Sequence, residues 1–234
     1  MNGSDSLTER FILEMEKKIV NGEYDINTML PSFRKLCDEY NVSRSVINTA
    51  VAVLNTKGFV DIIPRKSVRV RNWKKQGTLL TMNSSIALGK LEPETVDSFF
   101  DIFAFIQCNG VYEAASKATE EELIQLGKII EQEALLKDEK KLAALYHEFY
   151  KKIADISGNM AYSQVFMSLE QAIYAISDIY VPDASAKQQC MKMHNNIYQA
   201  LKARDGQKAR WEMQALSDHL KVLVEYKTSN LKRK

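Results

Sequence analysis

Between residues 30 and 71 the hydrophobic period changes from that of a helix to that of a strand, and this change constrains the fold more than any other feature. Leu30-Pro31-Ser32 places a proline at the start of a short helical segment, Phe33–Tyr40. Asn41-Val42 makes a turn, and Ser43 is a natural N-cap for a second helix that runs to Lys57. Val46, Ile47, Ala50, Val53 and Leu54 give that helix its apolar face, and Gly58 stops it. Residues 59–63 and 68–71 then read as two short strands around Pro64-Arg65-Lys66-Ser67, a β-hairpin without the usual turn glycine. An amphipathic helix precedes all of this, Leu7–Asn21, with Phe11, Ile12, Met15, Ile19 and Val20 on one face. Helix, helix-turn-helix and two-stranded wing together make a winged helix-turn-helix.

The rest of the chain reads differently. Residues 94–118, 120–136, 139–157, 162–179, 184–203 and 206–227 each carry helical periodicity, with a shorter stretch at 79–88 and no convincing strand. Short breaks between long amphipathic helices imply an antiparallel bundle. The expected fold is mainly α. A winged helix-turn-helix domain covers residues 1–71, a linker covers 72–77, and an all-helical domain covers 78–234, to which the resemblance described below assigns effector binding and dimerisation.

Charge follows the same division. The net of +2 over 234 residues is a sum of unlike parts. Residues 1–75 hold 13 Lys+Arg against 9 Asp+Glu, whereas residues 76–234 hold 19 against 21. A local basic surface, rather than a generally basic protein, points to nucleic acid at the N-terminal end. Three cysteines are an odd number, which disfavours a disulfide framework and fits a reducing cytoplasm. No signal segment and no apolar run long enough to span a membrane is visible, so the chain is expected to be cytoplasmic with no membrane partner.

A helix-turn-helix reads double-stranded DNA by laying its second helix in the major groove. The residues at the start of that helix are Ser43, Arg44, Ser45 and Asn48. Arg44 can make a bidentate contact to guanine, and Asn48 can pair with adenine. Ser43 and Ser45 suit phosphate oxygens, helped by the helix N-terminus. Ser32 and Arg34 open the preceding helix toward the same backbone. Arg65 and Lys66 at the wing tip, with Arg69, are candidates for minor-groove or phosphate contacts.

The N-terminal segment resembles the GntR family of bacterial transcription regulators. The resemblance rests on Ile19, Gly22, Leu30-Pro31-Ser32, Arg34, Leu36, Val42-Ser43-Arg44, Ala50, Leu54, Gly58 and Val70. The chain departs from the family at the wing, where Lys66-Ser67 replaces a usual glycine. It also departs at Phe33, often Glu, and at Asn48, often Arg. The helical remainder resembles the FadR-type effector domain of that family, called FCD, through Ser157-Gly158-Asn159 and through His194, Ala200, Asp205, Ala209 and Met213. Val70-Arg71-Asn72-Trp73 followed by Gly77 is similar to the linker of the FadR subfamily.

That resemblance implies a homodimer on a pseudo-palindromic operator, with DNA affinity altered by a small-molecule effector. Many such domains hold a metal through an Asp and three His. Carried onto this chain, those positions fall on Tyr146, Tyr150, His194 and Leu216, so only one ligand is kept. A substitute set of His147, His194 and His219 is the alternative, but no metal is favoured. The family's carboxylate-binding Arg falls on Gln107, and no Arg occurs from residue 72 to residue 203. The effector residues implied are therefore Gln107, Tyr146, Tyr150 and His194, with an acyl-CoA-like ligand or a carboxylate as candidate. Phe99, Phe100, Phe103, Phe105, Tyr112, Met167 and Tyr174 are candidates for apolar lining, with ordinary core the favoured reading for them. No cofactor is expected. None of the common nucleophile, zincin, dinucleotide or P-loop motifs occurs, so the chain is not read as an enzyme. The alternative class is a sensory or scaffolding protein whose degenerate helix-turn-helix binds protein instead of DNA.

Overall fold

Helix α1 (Leu7–Asn21) begins at Ser6, whose side chain accepts from the Glu9 amide while Glu9 reaches back to the cap, a reciprocal capping box. It ends at Gly22, which takes the left-handed conformation at φ 79°. The computed structural model describes residues 6–64 and 67–231. Arg65 and Lys66, expected at the wing tip, lie outside the described residues.

Helices α2 (Phe33–Tyr40) and α3 (Arg44–Lys57) start on Ser32 and Ser43, each accepting from an amide in its first turn. Asn41 turns the chain between them at φ 50°. Strands β1 (Val60–Ile63) and β2 (Ser67–Val70) pair antiparallel, with Val60 opposite Val70 and Asp61 opposite Arg69. Residues 27–30 lie along the free edge of β2: Asn27 and Leu30 donate to the Val70 and Val68 carbonyls, and Val70 donates to Thr28. That third pairing is too short for its alternation to stand out in the sequence, and it protects the edge of a two-stranded wing. Phe11, Met15, Leu36, Ile47, Leu54 and Phe59 form the buried centre.

The chain divides into two compact units, residues 1–90 and 91–234. The first therefore runs past the expected boundary at residue 71. Residues 72–77 hold one helical turn, α4 (Trp73–Gln76), and the first unit also includes α5 (Leu79–Ala87). The reason is local. Hydroxyls of Thr78 and Thr81 both donate to the Lys57 carbonyl, where α3 ends, and Lys57 Nζ reaches Ser84 Oγ at 3.3 Å and Glu16 at 2.6 Å.

The second unit is all helix: α6 (Pro93–Lys117), α7 (Glu120–Leu135), α8 (Glu139–Ile156), α9 (Met160–Ser168), α10 (Glu170–Tyr180), α11 (Ala184–Lys202) and α12 (Gly206–Leu231). Thr119, Asp138, Asn159 and Asp183 cap four of these, which explains the polar breaks in the sequence. The single helix expected over 162–179 is two, interrupted at buried Leu169, whose amide bonds back to Phe166 at 3.0 Å. No Gly or Pro marks that break, so periodicity runs straight through it. α6 packs most extensively against α12, and also against α8, α9 and α11.

Candidate DNA-reading face and effector centre

Burying Ile47, Ala50 and Leu54 turns the opposite face of α3 to solvent. Ser43, Arg44, Ser45 and Asn48 are all exposed at its first turns, and Ser32 and Arg34 are exposed at the start of α2. The hydroxyls of Ser32 and Ser43 each accept one amide at 3.3 Å. Each hydroxyl keeps a proton of its own to donate, as a phosphate oxygen would require. α3 also presents its uncapped N–H groups and positive dipole end there.

The wing is less free than its sequence suggests. Asp61 accepts from Arg69 at 3.2 Å and from Arg71 Nε at 2.8 Å. The two guanidiniums hold its carboxyl below the ordinary range, Arg71 most strongly. Arg69 is therefore drawn across the hairpin to its register partner rather than outward.

In the helical unit, the four residues expected at an effector site converge on one buried centre. Tyr150 OH lies 2.9 Å from His194 Nε2. The His194 ring also packs edge-on against Tyr146, with centroids 4.9 Å apart. Gln107 donates to the Tyr150 carbonyl at 3.3 Å. Two residues not anticipated complete the arrangement. Glu133 places both carboxylate oxygens on His194 Nδ1, at 2.9 and 3.0 Å. Tyr180 stacks on Tyr146 and meets Ser177 Oγ at 3.3 Å. Glu133 and His194 are both fully buried. A carboxylate only accepts, so Nδ1 carries the proton toward Glu133, and the Tyr150 phenol donates to Nε2. Burial pushes the Tyr146, Tyr150 and Tyr180 phenols well up, which keeps them as donors, and pushes the Cys190 thiol up to about 12.

Glu133 had a signal in the sequence. It continues the apolar stripe of Leu123, Leu126 and Ile129–Ile130 on α7, where a carboxylate is out of place unless something answers it.

The family's metal does not fit these residues. His194 spends both ring nitrogens on Glu133 and Tyr150, and Leu216 at the fourth position has no donor atom. The substitute histidine set is not assembled either. His147 stacks on Tyr174 at 4.8 Å and packs on Phe166, with Glu170 3.5 Å away. Burial lowers its pKa. Among the described residues, no group of three His, Cys, Asp or Glu side chains converges as a metal site would require. The candidates for lining or core divide between the interior and the surface. Phe99, Phe100 and Phe103 are buried, but Phe105 is 59% exposed, Tyr112 44% and Met167 41%. Phe103 alone of these touches the centre, edge-on to Tyr150.

Comparison with known proteins bears on both units. Residues 7–70 match the gntR family of bacterial regulatory proteins, and residues 98–221 match the FCD domain. The chain is 30% identical over 224 residues to the HTH-type transcriptional repressor NanR of Cronobacter sakazakii, covering 92% of this chain and 82% of that protein. Against NanR of Klebsiella aerogenes the identity is 28% over 225 residues, covering 92% and 83%. A solved chain described as Lar, which controls expression of the Listeria monocytogenes agr system, superposes with TM-score 0.73 at 17% identity, over 96% of this chain and 99% of that one. E. coli McbR/YncC superposes with TM-score 0.56 at 13% identity, over 95% and 99%. The family matched by residues 7–70 is one of regulatory proteins, and among the described residues no helix is long and apolar enough to cross a membrane. A winged helix-turn-helix with Ser43 and Arg44 exposed at its second helix, followed by an FCD bundle, places this chain in the gntR family of bacterial regulatory proteins.

Proposed function

We propose that the protein is a cytoplasmic transcription regulator of the FadR subfamily. It binds a pseudo-palindromic operator as a homodimer, and an effector held in the helical unit changes its affinity for that operator. The first unit reads DNA; the second binds effector and pairs the chains. The observation that carries this reading is the exposed first turn of α3, where Ser43, Arg44, Ser45 and Asn48 stand together on a capped helix. Arg65 and Lys66 on the wing add phosphate contacts.

Arg44 is the base-reading residue in this proposal. One bidentate pair to guanine is worth about 1–3 kcal/mol and the dimer loses two of them, so Arg44→Ala should weaken operator binding at least about 30-fold. It should also relax sequence preference at one position in each half-site. Mobility shifts against promoter fragments, including the protein's own, measure this in the presence of competitor DNA. A wild-type protein with no preference among fragments would sink the operator reading. The helix-turn-helix would then be a protein-docking surface.

The effector site is assigned to Gln107, Tyr146, Tyr150 and His194. Gln107 Oε1 and Tyr146 OH are buried without a hydrogen-bond partner, and such groups call for a ligand or water. Glu133 puts a carboxylate beside His194, and among the described residues no Lys or Arg is bonded to either, so a second carboxylate there would meet like charge. Of the two effector classes, the acyl-CoA-like one suits this centre. An apolar chain lies against Phe103, Phe149 and Tyr180, and an uncharged thioester carbonyl accepts from Tyr146. Titration calorimetry with acyl-CoAs of graded length and with short carboxylates tests this. Tyr146→Phe should weaken acyl-CoA binding about fivefold, the loss of one neutral hydrogen bond. Equal binding of short carboxylates, unchanged by Tyr146→Phe, would overturn the assignment.

A further inference from the structure

The wing carries a three-charge cluster that base reading does not use. Alternation along the hairpin sends Val60, Val68 and Val70 into the core and turns Asp61 and Arg69 to the other face, directly opposite each other in the register. Arg71, just past the end of β2, falls on that same face and reaches Asp61 along the diagonal. Its Nε and Nη2 lie 2.8 and 2.7 Å from Asp61 Oδ1, whereas Arg69 Nη2 lies 3.2 Å from Oδ2.

The two arginines are held differently. Arg71 brings two donors to one oxygen on a side chain that is 23% exposed, and so fixes the carboxylate in one orientation. Arg69 is 43% exposed and gives the carboxylate a single contact. Its Nε is buried and, among the described residues, has no hydrogen-bond partner. The guanidinium therefore lies down against the sheet instead of standing away from it. An isolated exposed ion pair restrains little, but a network in which one member is already fixed restrains more. Here Arg71 fixes Asp61, and Asp61 holds Arg69.

β1 packs on α3, which places this cluster on the hairpin beside the helix that reads DNA. The part of DNA affinity that ignores sequence grows with the number of phosphates that Lys and Arg neutralise. An arginine already facing a carboxylate does not add to that number, and the carboxylate repels the next phosphate as well.

We propose that Asp61 is a built-in counter-charge of the wing: positioned by Arg71, it keeps Arg69 off the phosphate backbone and limits binding to DNA of any sequence. A larger share of the total affinity then falls to the bases read at α3, which is what discrimination between operator and bulk DNA requires. The proposal rests on the DNA-reading assignment above, with Asp61 acting through Arg69 as a positioning residue.

Fluorescence anisotropy of the full-length chain on a random-sequence duplex, over a salt series, tests it. Asp61→Asn removes the charge and keeps a side-chain oxygen for Arg71. It should tighten binding roughly tenfold at about 0.1 M salt, and should steepen the fall of log affinity with log salt by about 0.9 for each wing on the duplex. A merely loosened hairpin would not steepen that slope. Arg69→Ala alone should shift affinity by less than about threefold, through screened long-range charge. Combined with Asp61→Asn it should cancel the gain. Asp61→Glu, which keeps the charge, should bind as the wild type does. Hydrogen exchange of the β1 and β2 amides reports whether the hairpin stays paired, and Asp61→Ser takes the place of the Asn variant if it does not. An unchanged affinity and slope for these charge-removing variants would overturn the proposal. So would a gain that survives in the double variant, since lost repulsion alone would then explain it. A tenfold loss for Arg69→Ala would overturn it too, because phosphate would already be taking Arg69 from Asp61. A gain that Arg69→Ala cancels supports the counter-charge even where the wild type prefers no promoter fragment, a result that sinks only the operator reading. No duplex binding by any of these proteins would overturn both.

Discussion

Replacing His194 with Ala should destabilise the helical unit by about 3–5 kcal/mol, the cost of leaving the buried Glu133 carboxylate uncompensated. Glu133 has no exposed surface, and both its oxygens are directed at His194 Nδ1. With the imidazole gone, its carboxylate keeps no side-chain hydrogen bond of those described and stays out of water. Tyr150 OH loses its acceptor at the same time. Hydrogen exchange of the α7, α8 and α11 amides reads this unit separately from the DNA-reading one, which matters because a two-unit chain need not unfold in one step. Glu133→Gln is the informative control. The amide oxygen can still accept from Nδ1–H, so the loss should fall to about 1 kcal/mol. A His194→Leu, Glu133→Leu double variant should also cost less than His194→Ala alone, since no charge is left buried. A loss below about 1 kcal/mol for His194→Ala would mean that water reaches Glu133 and that the centre is not closed as described.

The buried centre of the helical unit was only half legible in the sequence. The resemblance to the FCD domain supplied Gln107, Tyr146, Tyr150 and His194, the two tyrosines by spacing from Ser157-Gly158-Asn159, and the fold brings the four side chains together. Glu133 was missed because a lone Glu on a helix is nearly always solvated. Its meaning appears only when α7 and α11 are packed and its carboxylate faces a histidine 61 positions away. The aromatic residues show the opposite failure. Phe105 and Tyr112 recur with Phe99 and Phe103 along α6, and no sequence period distinguishes the face that meets α8 from the face that meets solvent.

The DNA-reading unit was more legible because its signals are local. Ser32, Ser43 and Gly58 act on their own first or last turns, and a cap needs no distant partner. The break at Leu169 and the inclusion of α5 in the first unit were not legible. Both depend on contacts made far along the chain: buried packing around Leu169, and threonine hydroxyls 21 and 24 residues beyond the carbonyl they bind.

Gly58→Ala should for this reason cost well beyond an ordinary helix C-cap. Gly58 sits at φ 93°, where a side chain brings about 1–2 kcal/mol of strain. A Cβ there would also lie 2.9 Å from Thr81 Oγ1, 3.1 Å from Gly77 Cα and 3.1 Å from the Thr78 amide nitrogen. Two of those three are backbone and cannot rotate away, so a further 1–3 kcal/mol or so of overpacking is expected. Gly22→Ala separates the two effects. Its φ is 79° and no atom lies within 4 Å of an added Cβ, so it should show the strain alone. The excess of Gly58→Ala over Gly22→Ala then measures the contact between the end of α3 and the start of α5. Hydrogen exchange should place that excess at Thr78 and Thr81 and in the last turn of α3, where both hydroxyls hold the Lys57 carbonyl. Equal losses for the two variants would mean that α5 yields without resistance and does not clamp the helix that reads DNA.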